Sequence, residues 1–350
     1  MRWGVGSLDC LRADLEELGA RRALVLTTRS LARSVAPMVE AALGAICVGS
    51  CAGLAAHVPA SGVAAATDAV AAADADAIVS VGGGSVIDAA KAVLVAAAAG
   101  GRRLRHAAVP TTLSGSEYSH FYGVTEDSFK QSFIEADSVP EIVVLDPMAT
   151  ESTPIDLWNG SGMKALDHAV EAVRAPGERP IGDPLALIGI REVATALEWS
   201  AVSGSSEARL QAQIGAWHCY FAPANATLGL SHRIGHILGG TYGVPHAATS
   251  SITLPAVLRA TEGLRPRADE AIAMALTPEG SAARPRSSPA EALTAIARRL
   301  ELPSRLSEVG VATKELPRIS ALLRERYRPN VDELGPEADE RLDRLLISIA

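Results

Sequence analysis

A chain of 350 residues is long enough for one large or two ordinary domains, and with 48% apolar and 21% charged residues it can bury a sizeable core without disulfide staples. Lys plus Arg number 32 against 40 Asp plus Glu, and the formal net charge of −8 argues against a general binder of phosphate backbones. Aromatics at 4% leave no base-stacking platform, so nucleic acid is not an expected partner. Cys10, Cys47, Cys51 and Cys219 form no C-x-x-C pair and no zinc spacing; they read as small buried hydrophobes in a reducing compartment. The start at Met1 has no apolar stretch long enough for a signal peptide. The most continuous apolar run, 89–100, carries Lys91 and falls short of the ~20 residues of a membrane span. A soluble, cytoplasmic protein with no membrane partner is expected.

Strand-like and helix-like segments alternate through the first part. Residues 8–18 carry a helical pattern, 23–27 have the length of a buried strand, and 31–43 return to helical spacing. A short strand is expected at 45–48, an Ala-rich helix at 63–73, and a third strand at 77–81 that runs into Gly82-Gly83-Gly84-Ser85 and another Ala-rich helix. Residues 107–110 and 142–145 add two more strands. Alternation at these lengths implies right-handed crossovers and a parallel sheet covered on both faces. After Asp146-Pro147 helical patterns take over at 160–173, 184–200, 206–221 and 228–238. The Pro-, Ser- and Arg-rich stretch 278–289 reads as a surface loop, and 302–350 as short helices with turns at 327–330 and 335–336. The expected architecture is an α/β domain with a parallel sheet over 1–148 and an all-α domain over 149–350, with the site in the cleft between them.

Glycines let a backbone approach a bulky anion, and a helix start offers unpaired N–H groups with a favourable dipole, so Gly82-Gly83-Gly84-Ser85 is a candidate anion turn. Ser85 is placed to cap the helix, with Asp88 completing a variant capping box. The pattern is neither G-x-G-x-x-G nor the Walker lysine motif, and a capped turn without ligand would read the same way. Thr111-Thr112-Leu113-Ser114-Gly115-Ser116-Glu117 follows the fourth strand, where hydroxyls face the usual nucleotide position of an α/β sheet; a plain Ser/Thr turn is the alternative. Two such loops after successive strands make a dinucleotide the economical ligand.

Among the eight histidines, His168 ends Ser161-Gly162-Met163-Lys164-Ala165-Leu166-Asp167-His168. His232 and His236 are i,i+4 on one helix face, and His246 follows Pro245 on the next loop. A packed or solvated helix face would account for the pair alone.

Gly82-Gly83-Gly84-Ser85, Pro110-Thr111-Thr112, Gly115-Ser116-Glu117, Ser161-Gly162-Met163, His168-Ala169-Val170-Glu171-Ala172 and His232-x3-His236-x9-His246 stand in this order. The ordered set resembles the iron-dependent alcohol dehydrogenase family over nearly the whole chain, from Gly4-Val5-Gly6-Ser7-Leu8 onward. The maleylacetate reductase branch is the most similar, through the shortened 111–117 loop and Leu238-Gly239-Gly240 before Pro245-His246. The resemblance implies a dehydroquinate synthase-like / iron alcohol dehydrogenase-like fold, with an N-terminal dinucleotide-binding domain for NADH or NADPH, a helical catalytic domain, and a homodimer. Carried over by position, Gly83, Gly84 and Ser85 hold the pyrophosphate, with Gly82 and Asp88 in the same cofactor set. Thr111, Thr112 and Ser114 line the nicotinamide side, and Lys130 matches a cofactor-contacting lysine. In metal-dependent members an Asp and three His bind the metal; the histidines map to His168, His232 and His246, and His236 matches a histidine beside the nicotinamide.

The departure from that pattern is at the metal. Four residues before His168, where metal-dependent members carry Asp and maleylacetate reductases commonly Asn, stands Lys164. An ammonium cannot ligate until deprotonated and repels a dication: at ~4 Å and an effective dielectric near ~20, each unit-charge pair costs roughly 4 kcal/mol, about twice that for a dication. No catalytic metal is expected. Lys164 can instead steady an oxyanion or carboxylate, or act as acid, base or Schiff-base nucleophile; a lysine reaching out to solvent is the alternative. Asp167 is expected to face elsewhere on the helix. Ser231, Gly235 and Ala247-Ala248-Thr249-Ser250 also differ from the branch's usual residues. The expected activity is metal-independent, NAD(P)H-dependent reduction of a small carbonyl compound or conjugated keto acid such as maleylacetate. His168, His232, His236, His246 and Lys164 form its catalytic set; His236 or His246 supplies the proton, and Lys164 stabilises negative charge. A non-redox enzyme using the same residues on an enolate or ketone, and a non-catalytic ligand-binding protein, are the rival readings. The second strand ends near Cys51-Ala52-Gly53 without an acidic residue for a ribose 2′-hydroxyl, which leaves NADPH open beside NADH.

Overall fold

The structure, a computed structural model, describes residues 1–126, 129–221, 226, 228–277 and 287–350; the side chains at 129–130 and 202–203 lie outside that description. The chain divides into two compact units, Met1–Thr153 and Pro154–Ala350.

The first unit holds strands β1 (Arg2–Trp3), β2 (Ala23–Thr27), β3 (Cys47–Cys51), β4 (Ala77–Gly82), β5 (Arg105–Pro110), β6 (Phe121–Glu126), β7 (Phe129–Ile134) and β8 (Ile142–Leu145). Its helices are α1 (Leu11–Glu17), α2 (Ala36–Leu43), α3 (Ala60–Ala72) and α4 (Gly84–Ala99). Six strands form a parallel sheet in the order β1-β8-β5-β4-β2-β3. The central strands are apolar on both faces because helices cover both, so period-2 alternation appears only in which layer a side chain meets. Val25, Val79, Val81 and Val109 join Leu11, Leu15, Val39 and Leu43 from α1 and α2. Leu24, Leu26 and Ile78 join Val70 of α3 and Val86 and Val93 of α4. Strand addition reverses direction between β2 and β4, and ligands of open parallel sheets bind outside the carboxyl ends at such a reversal. Those ends are Thr27, whose Oγ1 donates to the Val81 carbonyl at 2.8 Å, and Gly82.

Three features differ from the sequence-based expectation. The strand expected at 45–48 begins at Cys47, because Gly44–Ile46 closes a short 3-10 turn first. Strand β1 and the antiparallel β6–β7 ribbon were not foreseen; the ribbon mixes polar and apolar residues without a core run, and its Tyr122 and Phe133 rings stack at 5.3 Å. The cysteines are all free, but only Cys219 is buried: Cys10 is exposed, and the small edge strand β3 leaves Cys47 and Cys51 half-covered.

The second unit comprises α5 (Ile155–Arg174), α6 (Gly182–Ser203), α7 (Ser206–Phe221), α8 (Leu230–Tyr242), α9 (His246–Ala260), α10 (Pro266–Ala275), α11 (Pro289–Arg299), α12 (Leu316–Arg326), α13 (Arg328–Asp332) and α14 (Ala338–Ser348), with no strand among the described residues. Every residue of α5 from Trp158 to Ala172 is buried, which makes it the central helix of the unit. Helix α9 carries Pro255 in its interior and Thr249-Ser250-Ser251 in its first two turns, so its pattern reads weakly, and His246 is the first helical residue rather than part of a loop. The turn expected at 327–330 is instead the start of α13. Of the loop expected at 278–289, residues 278–286 lie outside the described residues; Pro289 already belongs to α11, behind a Ser288–Glu291 capping box. No described helix is long and apolar enough to cross a membrane.

Helices α6 and α7 approach closely because Gly189 has no side chain: a Cβ there would stand 2.6 Å from Cys219 N and 2.8 Å from the Gly215 carbonyl. Gly189→Ala is expected to destabilise by about 1–3 kcal/mol through overpacking. A lowered urea midpoint would report it, and an unchanged midpoint would mean that the two helices can separate at little cost.

Candidate active site

In the first unit the glycine turn leads into α4. Gly83 is the N-cap in extended backbone (φ −80°, ψ −174°), and no side chain caps the helix. Ser85 therefore does not cap, since the helix already begins at Gly84 and puts Ser85 in its first turn. The uncapped N-terminus is the kind of place where an anion binds. The 111–116 segment packs directly on this turn. A Cβ on Gly83 would stand 3.0 Å from Thr112 Oγ1, and one on Gly84 2.9 Å from Ser114 Oγ. Thr111 N donates to the Gly82 carbonyl at 3.0 Å. The two loops singled out in the sequence thus stand together at the sheet's reversal point.

Asp88 does not complete a capping box. Its oxygens accept from Ser116 Oγ and, at 3.3 Å, from Gly123 N, because the 116–123 segment lies along α4. Glu117 is buried, its Oε2 has no hydrogen-bond partner, and burial pushes its carboxyl up to about 7. The side chain of Lys130 lies outside the described residues.

In the second unit α5, α8 and α9 bring the charged residues together. Lys164 Nζ donates to Asp167 Oδ2 at 3.1 Å and lies 2.8 Å from His232 Nδ1. An ammonium has donors only, so Nδ1 accepts and the imidazole proton sits on Nε2. Ser250 Oγ, from α9, donates to the same Asp167 oxygen at 2.6 Å, while Asp167 Oδ1 is buried without a partner. Asp167 therefore faces the cluster, contrary to expectation. Its i,i+3 spacing from Lys164 was the signal, since such pairs share a helix face.

The four histidines form a chain of rings: His168 to His232 at 5.0 Å between centroids, His232 to His236 at 4.9 Å, and His236 to His246 at 6.2 Å. His168 and His232 are buried, and burial, reinforced by the Lys164 charge, holds both well below the ordinary imidazole range. His236 and His246 are half-buried. Among the described residues no group of three or more His, Cys, Asp or Glu could hold a metal ion.

Small residues create this proximity. A Cβ on Gly235 would stand 3.0 Å from Thr249 Oγ1, one on Gly239 3.1 Å from His246 Cε1, and one on Gly160 would run into the Ala247 carbonyl. Glu171 was not singled out beforehand. Its carboxyl accepts from Gly229 N at 2.9 Å and His232 N at 3.3 Å, so it caps the start of α8 and fixes His232. Burial and the Asp167 charge push Glu171 up to about 8.

Comparison with known proteins finds similarity along nearly the whole chain. The family description "Iron-containing alcohol dehydrogenase" matches residues 1–147, and "Fe-containing alcohol dehydrogenase family, C-terminal" matches residues 160–330. Maleylacetate reductase 2 of Cupriavidus pinatubonensis is 37% identical over 279 residues, 79% of this chain and 76% of that protein. Maleylacetate reductase of Pseudomonas sp. strain P51 is 33% identical over 344 residues, 96% of this chain and 92% of its own length. The crystal structure of maleylacetate reductase from Agrobacterium tumefaciens superposes with a TM-score of 0.88 at 28% identity, covering 99% of this chain and 95% of that one.

Two consequences are measurable. Asp167→Ala leaves the Lys164 ammonium uncompensated in a buried site and is expected to cost about 3–5 kcal/mol in denaturant unfolding. Glu117 keeps its proton in the folded chain up to about 7, whereas the unfolded chain releases it near the ordinary 4.5. The folded state thus binds more protons between those values, and stability falls as pH rises through that window. Glu117→Gln is expected to flatten this decline in a series of unfolding curves.

Proposed function

We propose a metal-independent, NAD(P)H-dependent reduction of a conjugated keto acid for this chain, which belongs to the iron-containing alcohol dehydrogenase family and is an oxidoreductase. The observation that carries the reading is the Lys164 ammonium seated between Asp167 and His232. The similarity to maleylacetate reductases supports the substrate class.

A divalent metal does not fit this donor set. The Nδ1 lone pair of His232 is taken by Lys164, and the ammonium repels a dication where the family's resident ion would need a carboxylate. A dinucleotide does fit the first unit: Gly83 and Gly84 leave backbone room at the N-terminus of α4 for a pyrophosphate, beside Thr111, Thr112 and Ser114. When bound, the dihydronicotinamide supplies a hydride.

The chain's own residues do the rest. Lys164 gives two N–H bonds to Asp167 and His232, and its third is directed to the substrate oxygen on which negative charge develops. Asp167, fixed by Ser250, holds Lys164 in place. His236 or His246, the two more accessible rings of the chain, returns the proton.

The test is calorimetric titration of chelator-treated protein with NADH and NADPH, followed by turnover of maleylacetate in the presence of EDTA. Saturable binding of one nucleotide and undiminished turnover are expected. Failure to bind either at millimolar concentration, or turnover that requires added metal, would overturn the reading. Lys164→Ala is expected to lower kcat/KM by roughly 10²–10³-fold with nucleotide affinity retained. Unchanged turnover in that variant would remove Lys164 from the chemistry.

A further inference from the structure

We propose that Lys91 is a positioning residue for the nucleotide: its buried ammonium ties the 116–121 segment to α4 and thereby holds Thr112 and Ser114 against the glycine turn. The inference rests on the nucleotide reading of that turn.

Lys91 lies two turns into α4 and is 0% exposed. Its Nζ donates to the Ser116 carbonyl at 2.6 Å, to Ser116 Oγ at 3.2 Å and to the Phe121 carbonyl at 2.9 Å. Three acceptors engage all three N–H groups of an ammonium, and Ser116 Oγ has already given its own proton to Asp88. Asp88, three residues earlier on α4, also accepts from Gly123 N, so one helix face fastens both ends of the segment. That segment continues from Ser114, which sits where a Cβ on Gly84 would have to go. Burying a lysine is costly unless its donors are met, and here all three acceptors are within reach. The charge is accounted for by what it holds.

The charged and titratable groups facing Lys91 are Asp88 on α4, Glu117 on the 116–118 turn and His106 on β5, the last kept neutral by burial and the Lys91 charge. Burial pushes Lys91 down to about 8 against the opposing pull of Asp88 and Glu117. Above that value the amine has two N–H groups for three acceptors. A bound nucleotide favours the protonated form, so by linkage protonation favours the nucleotide.

Nucleotide Kd is measured by calorimetry for full-length wild type, Lys91→Arg and Lys91→Met, from about pH 7 to about pH 9. Wild-type affinity for NADH or NADPH is expected to fall across this range, on the order of tenfold, the scale of one charge-assisted hydrogen bond. Lys91→Arg stays charged and is expected to give a flat profile. Lys91→Met is expected to bind about tenfold more weakly at every pH, with kcat at saturating nucleotide close to wild type. Wild-type affinity that ignores pH, or a folded Lys91→Met that binds as wild type does, overturns the role of Lys91 while leaving the nucleotide reading intact. If circular dichroism shows Lys91→Met unfolded, the wild-type pH profile alone decides. A wild type that binds neither nucleotide at any pH sinks the reading of the turn and this inference together.

Discussion

The second unit is organised around one buried ammonium. Lys164 sits in the middle of α5, the helix with the most continuous burial, where an unpaired charge would cost several kcal/mol. It is tolerable only with an acceptor on either side, and these come from its own helix, as Asp167, and from α8, as His232. Asp167 in turn needs Ser250 from α9. Three helices are thereby fixed to one point by electrostatics, and the contact glycines, Gly160, Gly235 and Gly239, let their backbones come close enough for these short bonds. The same constraint sets a tautomer: with Nδ1 of His232 committed to Lys164, its only N–H is on Nε2.

The first unit repeats this device in a different place. Asp88 and Lys91 are three residues apart on α4, as Lys164 and Asp167 are on α5, and in each pair a serine from another element donates to the carboxylate. In each case a lysine that would be destabilising alone is made part of a short, directional network. The networks differ in what they hold. That of α4 secures backbone carbonyls of a loop, whereas that of α5 secures a histidine side chain.

Much of the fold was legible because burial on both sheet faces writes itself as apolar runs, and 23–27, 77–81, 107–110 and 142–145 all lie in the parallel sheet. The ribbon β6–β7 was invisible because its register depends on pairing with itself and on Asp88 and Lys91 behind it. Helix α9 was hidden by Pro255 and by Thr249-Ser250-Ser251 in its first two turns, which moved His246 from an expected loop to a helix start. At the candidate site the glycine turn, the 111–117 loop and the histidines could be picked out by residue type. Of their partners, only Asp167 carried a local signal, its i,i+3 spacing from Lys164; Glu171 and Ser250 could not be picked out, because each acts on a residue of another helix. The expected Ser85 cap failed for a local reason: Gly83 adopts the N-cap conformation first, and the helix starts two residues too early for Ser85.

On the proposed reading an ammonium acts where the family's metal would, and this changes which reactions the cluster can favour. A Lewis acid offers a dication to an oxygen that acquires nearly a full charge, as when hydride adds to a simple aldehyde and an alkoxide forms. Lys164 offers one charge and one directed N–H, a weaker stabiliser of a localised alkoxide. In a conjugated keto acid the electrons that arrive with hydride spread over an enolate, so the charge on any one atom is smaller from the outset. The demand on the protein falls to what a single, rigidly held donor can meet, and rigidity is what Asp167, Ser250 and His232 confer on Lys164. On this reasoning Lys164 and the choice of an electron-delocalising substrate belong together: restoring a carboxylate at position 164 would favour a metal and, with it, the less conjugated carbonyl compounds for which a dication is the better partner.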